Sequence, residues 1–236
     1  MTFKYVTRAA FVNGVGRLPT VSNLADKFSC WARFSRWCVE RGGKMEQYRA
    51  SPHYSHARRY GLYEDVIAKE GLESEAIDYL EFGVYRGESM AWWSDHITQP
   101  TARFVGFDTF TGLPEAWTEE APAGTFSVAG KPPSFHDRRC SFEVGLFQDT
   151  LPKFVSNFTR RTRLILHLDA DLYSSTLFVL TSVARLLMPG DLLFFDEFAT
   201  PTDEFRAFDD FARAFLFRYE LIGAVNNLNQ VCLKAT

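Results

Sequence analysis

From Ile77 onward, short apolar runs alternate with stretches that have helical apolar spacing. Two of the helical stretches are ESMAWWSDHI and STLFVLTSVARLLM, and the second ends at Pro189-Gly190, a common helix exit. This alternation predicts βα units and a mainly parallel sheet. The five runs interpreted as strands are AIDYLEF, RFVGFD, SFEVGLF, RLILHLD and DLLFFDEF.

The C-terminal part predicts how the sheet ends. A helix in PTDEFRAFDDFARAFLF is followed by two apolar runs, YELIGAV and QVCLKA, with only NNLN between them. A parallel crossover needs a dozen or more residues, so these two strands are expected to form an antiparallel hairpin. A mainly parallel seven-stranded α/β sheet with this ending favours the class I methyltransferase fold, which is Rossmann-like, over a dehydrogenase domain.

The first 75 residues have a different character. They are rich in Arg, Trp, Tyr and His and contain no strong strand candidate. We interpret residues 1–75 as an N-terminal helical cap and residues 76–236 as the methyltransferase domain. The aromatic residues of the cap are expected to pack against the main domain. A lid or a dimer contact, and hence a homo-oligomer, is the alternative interpretation.

Composition excludes several classes of partner. A net charge of −3 and a pI near 6.0 argue against nucleic-acid binding, which usually needs a basic face. No run approaches the roughly 18 apolar residues of a membrane span. The cysteines have no metal-site spacing, so we expect free thiols, no membrane partner and a cytoplasmic location. They are Cys30, Cys38, Cys140 and Cys232.

The turn after the first strand, in YLEFGVYRGESM, carries two glycines and an acid. Gly83 would permit a tight turn and close approach of a ligand, and Gly87 would permit packing of the helix on the strand. A GxxxG pair alone is weak evidence for any ligand. Glu81 makes this evidence more specific, because a carboxylate at the strand end repels a phosphate and attracts an ammonium group.

Asp108 ends the second strand, where it could take both hydroxyls of a ribose. The alternative is that Asp108 merely caps the turn DTFTGLPE. A cofactor with an amino-acid end, a nucleoside end and no phosphate is S-adenosylmethionine. We therefore expect S-adenosylmethionine to lie across the strand ends.

Five segments together resemble the macrocin O-methyltransferase family, whose members methylate sugar hydroxyls in antibiotic biosynthesis. The resemblance covers about residues 77–200, and a more distant one, in EFGVYRGES and GLFQD, is to catechol O-methyltransferase. The segments are LEFGVYRGESM, FVGFDTFTGLPE, GLFQDTLP, LHLDADLYSST and PGDLLFFDEF, and LDADLYSST is the most specific of them.

The resemblance implies a set of cofactor-binding residues. Glu81, Gly83, Tyr85 and Ser89 would surround the methionine end, and Asp108 would hold the ribose. Phe147 and Gln148 would lie beside the adenine, and the alternative for Phe147 is that it is one of many core phenylalanines. The full expected set is Glu81, Gly83, Tyr85, Gly87, Ser89, Asp108, Phe147, Gln148 and Asp169.

Acidic residues follow the fourth and fifth strands. Asp169 and Asp171 come after RLILHL, and Asp196 and Glu197 come after DLLFF. Adjacent parallel strands would bring these carboxylates together and raise their pKa values unless a cation neutralised them. Hard oxygen ligands favour Mg²⁺.

The resemblance implies that Asp169, Asp196 and Glu197 hold the magnesium ion. Glu197 departs from the Asp or Asn that is more frequent at its position, so it could ligate from a shifted position, through water, or not at all. For Asp171 we favour a carboxylate at a helix start without metal, because DLYSST has the pattern of a helix N-terminus.

The expected mechanism is methyl transfer to a hydroxyl whose pKa is lowered by magnesium, with the protein supplying proximity and orientation. Catechol O-methyltransferase uses a lysine as base three positions after its first metal aspartate. Leu172 stands at that position here, so this role is not carried over. The candidate bases are His136, His167 and Asp196, and the expected catalytic set is Asp169, Asp196 and His136.

These features favour a magnesium-dependent O-methyltransferase that acts on a small hydroxylated acceptor, a sugar or a related natural product. One alternative is a metal-independent methyltransferase of another small molecule. A second alternative is a non-catalytic protein that binds S-adenosylmethionine. A nicotinamide oxidoreductase is disfavoured because GxGxxG is missing and because the last two strands form a hairpin.

Overall fold

The computed structural model describes residues 19–41 and 54–236. Its centre is one seven-stranded sheet with the order β3-β2-β1-β4-β5-β7-β6. Strands β1 to β5 are parallel, and β7 runs antiparallel to both β5 and β6. The strands are β1 Ile77–Phe82, β2 Arg103–Asp108, β3 Cys140–Val144, β4 Arg163–Leu168, β5 Leu192–Phe195, β6 Tyr219–Val225 and β7 Gln230–Ala235.

This topology confirms the predicted fold class. All five predicted parallel strands are present, and the last two form the predicted hairpin across a 3₁₀ turn at Asn226–Leu228. The six residues of β1 are all buried, as are the four of β5, which explains why these strands appear as unbroken apolar runs in the sequence.

Helices cover both faces of the sheet. One apolar cluster packs α1, α4, α5 and α6 on one face, and a second packs α2 and α3 on the other. Side chains alternate along β1, so that Leu80 faces the first cluster and Tyr79 the second. The helices are α1 Pro19–Arg41, α2 Arg58–Glu70, α3 Glu88–His96, α4 Phe147–Asn157, α5 Tyr173–Val183 and α6 Glu204–Ala214.

The predicted cap is described only in part, because residues 1–18 and 42–53 lie outside the described residues. The described part is helical. Trp37 of α1 packs on Phe198 and Phe205, as expected for cap aromatics. Phe28 and Trp31 on the same helix are 75% and 57% exposed, so that expectation holds for only some of them.

One helix was missed by the sequence analysis. Helix α4 directly follows β3 and contains Pro152 in its interior, a residue that argues against a helix. Phe147, expected as the last residue of the strand run SFEVGLF, is instead the first residue of this helix. The four cysteines are free thiols, as expected, and no helix among residues 19–41 and 54–236 has the length and apolarity of a membrane span.

Gly83 links the ends of β1 and β4. Its φ is +91°, and a Cβ at this position would lie 1.8 Å from the carbonyl oxygen of Asp169. The close approach that requires glycine is therefore made by the backbone after β4, not by a ligand. Any side chain here would push apart two strand ends that build the cavity described below.

We predict that Gly83→Ala destabilises the protein by about 3 kcal/mol or more, because the collision is with backbone that cannot rotate away. Gly190→Ala is the matched control, since its φ is +97° and no atom lies within 4 Å of the place that its Cβ would occupy. The control is expected to lose only about 1–2 kcal/mol, the cost of a left-handed backbone. Urea unfolding measures both, and equal losses would contradict the role given to the collision.

Candidate active site

The carboxyl ends of four parallel strands open into one cavity of about 280 Å³. An acidic side chain at or near the end of each strand lines it, namely Glu81 in β1, Asp108 as the last residue of β2, Asp169 after β4 and Asp196 after β5. Open α/β sheets bind ligands at this edge. The sequence analysis therefore placed these four acids at a common site, and the structure brings them together.

Glu81 lines the cavity and is 1% exposed. Its Oε2 accepts a hydrogen bond from the Tyr79 hydroxyl at 2.6 Å. Burial raises the pKa of Glu81 to about 8, although the Tyr79 hydrogen bond and the charge of Arg59 act in the opposite direction. A buried carboxylate with a raised pKa would gain from an ammonium group placed against it.

The turn after β1 supplies the next part of the lining. Gly83, Tyr85 and Ser89 all line the cavity. Tyr85 has a φ of 52°, unusual for a residue with a side chain and typical of strain at functional sites. Gly87 is the N-cap of α3 and is not part of the lining. Its nearest neighbours are Pro133 and Phe135 of a loop, so the expected packing on the strand was wrong.

Asp108 combines both interpretations of its role. Its Oδ2 accepts hydrogen bonds from the backbone N–H groups of Val84 and Tyr85 at 2.8 Å, and Oδ1 accepts from Phe110 N–H at 2.7 Å. The carboxylate thus holds two turns together. A carboxylate has about four acceptor sites, so capacity remains for a ribose hydroxyl from the cavity side.

The expected adenine neighbours, Phe147 and Gln148, also line the cavity. Phe147 packs edge-on against Phe82 at 5.7 Å between ring centroids. Phe147 therefore packs against the core and also lines the cavity.

Arg59 is a cation in the acidic end of the cavity, the part of the lining formed by Asp169, Asp171 and Asp196. It is 4% exposed, and its Nη1 lies 3.6 Å from Oδ2 of Asp196 and 4.0 Å from Oδ2 of Asp169. Burial raises the pKa of Asp169 well above its usual range, and the Asp196 and Asp171 carboxylates raise it further. Burial also raises the pKa of Asp196, with Arg59 acting against that shift. One guanidinium thus balances only part of the negative charge.

Asp171 was expected to be a carboxylate at a helix start. The N-cap of α5 is instead Leu172, and no side chain caps this helix. Asp171 is 7% exposed, has a φ of 57° and lines the cavity. Burial and the nearby Glu197 and Asp196 raise its pKa to about 7. Asp171 thus lies directly before α5 without capping it, and its side chain lines the cavity.

The oxygen donors can be tested for a fit to magnesium. Oδ1 of Asp196 is buried without a hydrogen-bond partner, which leaves it available to a cation. Glu197, in contrast, accepts a hydrogen bond from Asn229 at 2.9 Å. Within residues 19–41 and 54–236, no three acidic, His or Cys side chains are gathered for an ion. Mg²⁺ is often held by one or two carboxylates plus water, so Asp169 and Asp196 fit it without Glu197.

The two candidate histidines are far from equivalent. His136 is exposed and does not line the cavity, because its loop packs outside the turn at Gly87. The structure does not bring it to the other candidates, and this placement does not support its expected role as base. His167 is 1% exposed inside β4, as a core histidine would be, and hydrogen-bonds two tyrosines.

Sequence analysis missed several lining residues. Arg59 and His56 come from the segment at the start of α2, and Trp117 and Phe126 come from the long loop after β2. Nothing in the pattern distinguishes Arg59 from its neighbour Arg58, because both occur in an arginine-rich stretch. The helical spacing of apolar residues does not show which polar side chains of the helix point toward the strand ends, because the position of the sheet is not known from the sequence.

A family model described as "Methyltransferase domain" matches residues 80–198, about half of the 236 residues. The chain belongs to this methyltransferase-domain family. The match begins inside β1 and ends after β5, so it contains all four strand-end acids. The predicted enzyme class, a methyltransferase with a class I fold, is thereby confirmed. A comparison with curated proteins gave no match.

Solved structures share the fold of this methyltransferase. The calicheamicin methyltransferase CalS11 is 23% identical over 76% of this chain and 80% of that chain, with a TM-score of 0.60. The O-methyltransferase NovP is 22% identical over 76% and 78%, with a TM-score of 0.58. A magnesium and S-adenosylmethionine form of CmcI is 19% identical over 75% and 70%, with a TM-score of 0.51. At these identities the likeness concerns the fold.

The raised pKa of Glu81 predicts that the stability of Glu81→Gln, relative to the wild type, increases as pH rises. Between pH 4.5 and about 8 the folded methyltransferase keeps a proton on Glu81 that the unfolded chain releases, so the wild type loses stability through this window. Glutamine does not ionise and avoids that loss. The Tm difference between variant and wild type should therefore grow from about pH 5 to about pH 8.5.

Thermal melts of the ligand-free protein measure this difference. Glu119→Gln, which changes an exposed carboxylate, is the control and should show no comparable trend. A Tm difference for Glu81→Gln that stays flat with pH would contradict the raised pKa.

Proposed function

We propose that the protein is an S-adenosylmethionine-dependent O-methyltransferase that acts on a hydroxyl of a sugar or a related small natural product. The observation that carries this proposal is one cavity lined by two chemically different sets of side chains. One is the buried carboxylate of Glu81, and the other is the acidic end, where the Asp169 and Asp196 carboxylates lie beside Arg59. Glu81 suits an ammonium group, and the acidic end suits the reacting hydroxyl.

Relatives in fold support the acceptor class. CalS11 is described as a TDP-rhamnose 3'-O-methyltransferase of calicheamicin biosynthesis, and TomG as an O-methyltransferase of tomaymycin synthesis. Together with the segments that resemble the macrocin O-methyltransferase family, these descriptions favour a hydroxyl of a small natural product. We propose that the protein is a member of the macrocin O-methyltransferase family.

The cofactor would lie along the turn after β1. Its ammonium group would pair with Glu81, its ribose would use the remaining acceptor capacity of Asp108, and its adenine would lie beside Phe147 and Gln148. All four residues line the same cavity. The sulfonium methyl would then lie between the cofactor residues and the acidic end.

The acidic end would orient the acceptor and remove its proton. A Mg²⁺ ion held by Asp169 and Asp196 would supply Lewis-acid chemistry that favours the ionised form of a hydroxyl. We assign the base to Asp171 in place of His136, because Asp171 lines the cavity and caps no helix. The main contribution of the protein would be to hold the two reactants in line.

Binding and methyl transfer test the proposal together. Calorimetry should show that S-adenosylhomocysteine binds the wild type and that Glu81→Gln binds it at least about tenfold more weakly, because a charged hydrogen bond is lost. Radiolabelled methyl transfer to a library of hydroxylated sugars and natural products should identify an acceptor. Cofactor binding without transfer would favour the non-catalytic alternative, and binding of NADH instead would contradict the proposal.

The magnesium part has its own test. We expect EDTA to abolish transfer, Mg²⁺ to restore it, and Mn²⁺ binding to be detectable by electron paramagnetic resonance. Asp196→Asn should weaken Mn²⁺ binding about tenfold or more. Glu197→Gln should change it little, because Glu197 already accepts a hydrogen bond from Asn229.

The opposite result is also informative. Transfer that survives EDTA, with no bound Mn²⁺, would contradict the metal and leave Arg59 as the cation of the site. A larger effect of Glu197→Gln than of Asp196→Asn would instead restore Glu197 as a ligand.

A further inference from the structure

A continuous chain of buried hydrogen bonds runs behind Glu81. The Tyr79 hydroxyl donates to Glu81 Oε2 at 2.6 Å and lies 2.6 Å from Nδ1 of His167. On the other side of the imidazole ring, Nε2 lies 3.2 Å from the hydroxyl of Tyr63. None of these four residues is more than 1% exposed. Bulk water therefore has no access to the chain, and each group depends on its protein partners.

Sheet geometry explains why these groups meet. Tyr79 and Glu81 are two apart on β1 and point to the same face, and His167 is the partner of Glu81 in the parallel register with β4. Tyr63 reaches the ring from α2, where it packs against Trp93 and Phe194. The chain thus joins two central strands to a helix of the N-terminal region.

In the complex, where the ammonium group of the cofactor would keep Glu81 ionised, the carboxylate sets the direction of every bond. A carboxylate only accepts, so the Tyr79 proton goes to Glu81, and the Tyr79 oxygen accepts from His167 Nδ1–H. A neutral imidazole that carries its proton on Nδ1 has no N–H at Nε2. Its Nε2 therefore accepts from the Tyr63 hydroxyl.

The far end of the chain returns to the cavity. Tyr63 also lies near the side chain of Ser89. Ser89 lines the cavity at the start of α3, close to the turn that would hold the methionine end. The buried groups thus extend from Glu81 to the neighbourhood of Ser89.

We propose that Tyr79, His167 and Tyr63 are positioning residues that hold the Glu81 carboxylate ready for the ammonium group of the cofactor. The inference rests on the proposed function, because it needs a cofactor with an amino-acid end. A carboxylate that is oriented before binding loses less conformational freedom when the ligand arrives, which strengthens the contact. His167 acts through Tyr79 and touches no reactant.

Two ligands separate positioning from general support. S-adenosylhomocysteine carries the amino-acid end, and 5'-methylthioadenosine is a similar nucleoside thioether without it. In Tyr79→Phe, calorimetry should show about a tenfold or larger loss of affinity for the first ligand and a change within about twofold for the second. Tyr219→Phe is the matched control, since its hydroxyl accepts from Trp37 at 2.9 Å and does not line the cavity.

Variants at His167 test the direction of the chain. Asparagine places an N–H donor near the position of Nδ1, so His167→Asn should keep most of the affinity for S-adenosylhomocysteine. His167→Leu has no donor and should behave like Tyr79→Phe. In the wild-type complex, ¹⁵N spectra of the five histidines should show His167 as the neutral Nδ1–H tautomer, with its signal assigned by the Leu variant.

Each outcome decides the proposal. Equal losses for both ligands in Tyr79→Phe, or a His167 protonated at Nε2, would overturn it. Unchanged S-adenosylhomocysteine binding by Tyr79→Phe would overturn the chain but not the proposed function. Failure of the wild type to bind S-adenosylhomocysteine would contradict the proposed function itself. If Tyr79→Phe does not fold, the ¹⁵N spectrum of the wild type remains decisive.

Discussion

The contact of Arg59 with Asp169 and Asp196 is the interaction on which the acidic end of the cavity depends. Parallel strands bring their carboxyl ends to one edge, and here that edge receives several buried acids. Burial and mutual repulsion favour protonated carboxyl groups, as the raised pKa values of Asp169 and Asp196 indicate. A guanidinium stays charged throughout the physiological range and stabilises the ionised forms. Helix α2 is therefore part of the charge balance of the site.

Much of the fold could be predicted from the sequence, because the patterns that indicate its strands and its hairpin lie within short segments. The strands of a sheet covered on both faces are nearly continuous apolar runs, and the four residues NNLN leave room only for a hairpin. Helix α4 was missed for an equally local reason, since Pro152 interrupts its pattern. The structure accommodates that proline within a helix that packs Leu151 and Val155 into the core.

The candidate site was predictable where its residues end parallel strands. Topology alone brings Glu81, Asp108, Asp169 and Asp196 to one edge, whatever the details of packing. Arg59 and Trp117 come from a helix and a loop, and their directions depend on tertiary packing that no short pattern encodes. The place of Asp171 in the cavity lining was not predicted, because its left-handed backbone conformation is not visible in the sequence DLYSST.

The position of α2 has a consequence for modularity. This helix carries Arg59 to the acidic end and Tyr63 to the core behind Glu81, so residues before the first strand contribute both to the cavity lining and to its support. A chimera joined at residue 76 would pair one protein's guanidinium with another protein's carboxylates. Recombination that preserves the site would instead have to transfer α2 together with the sheet.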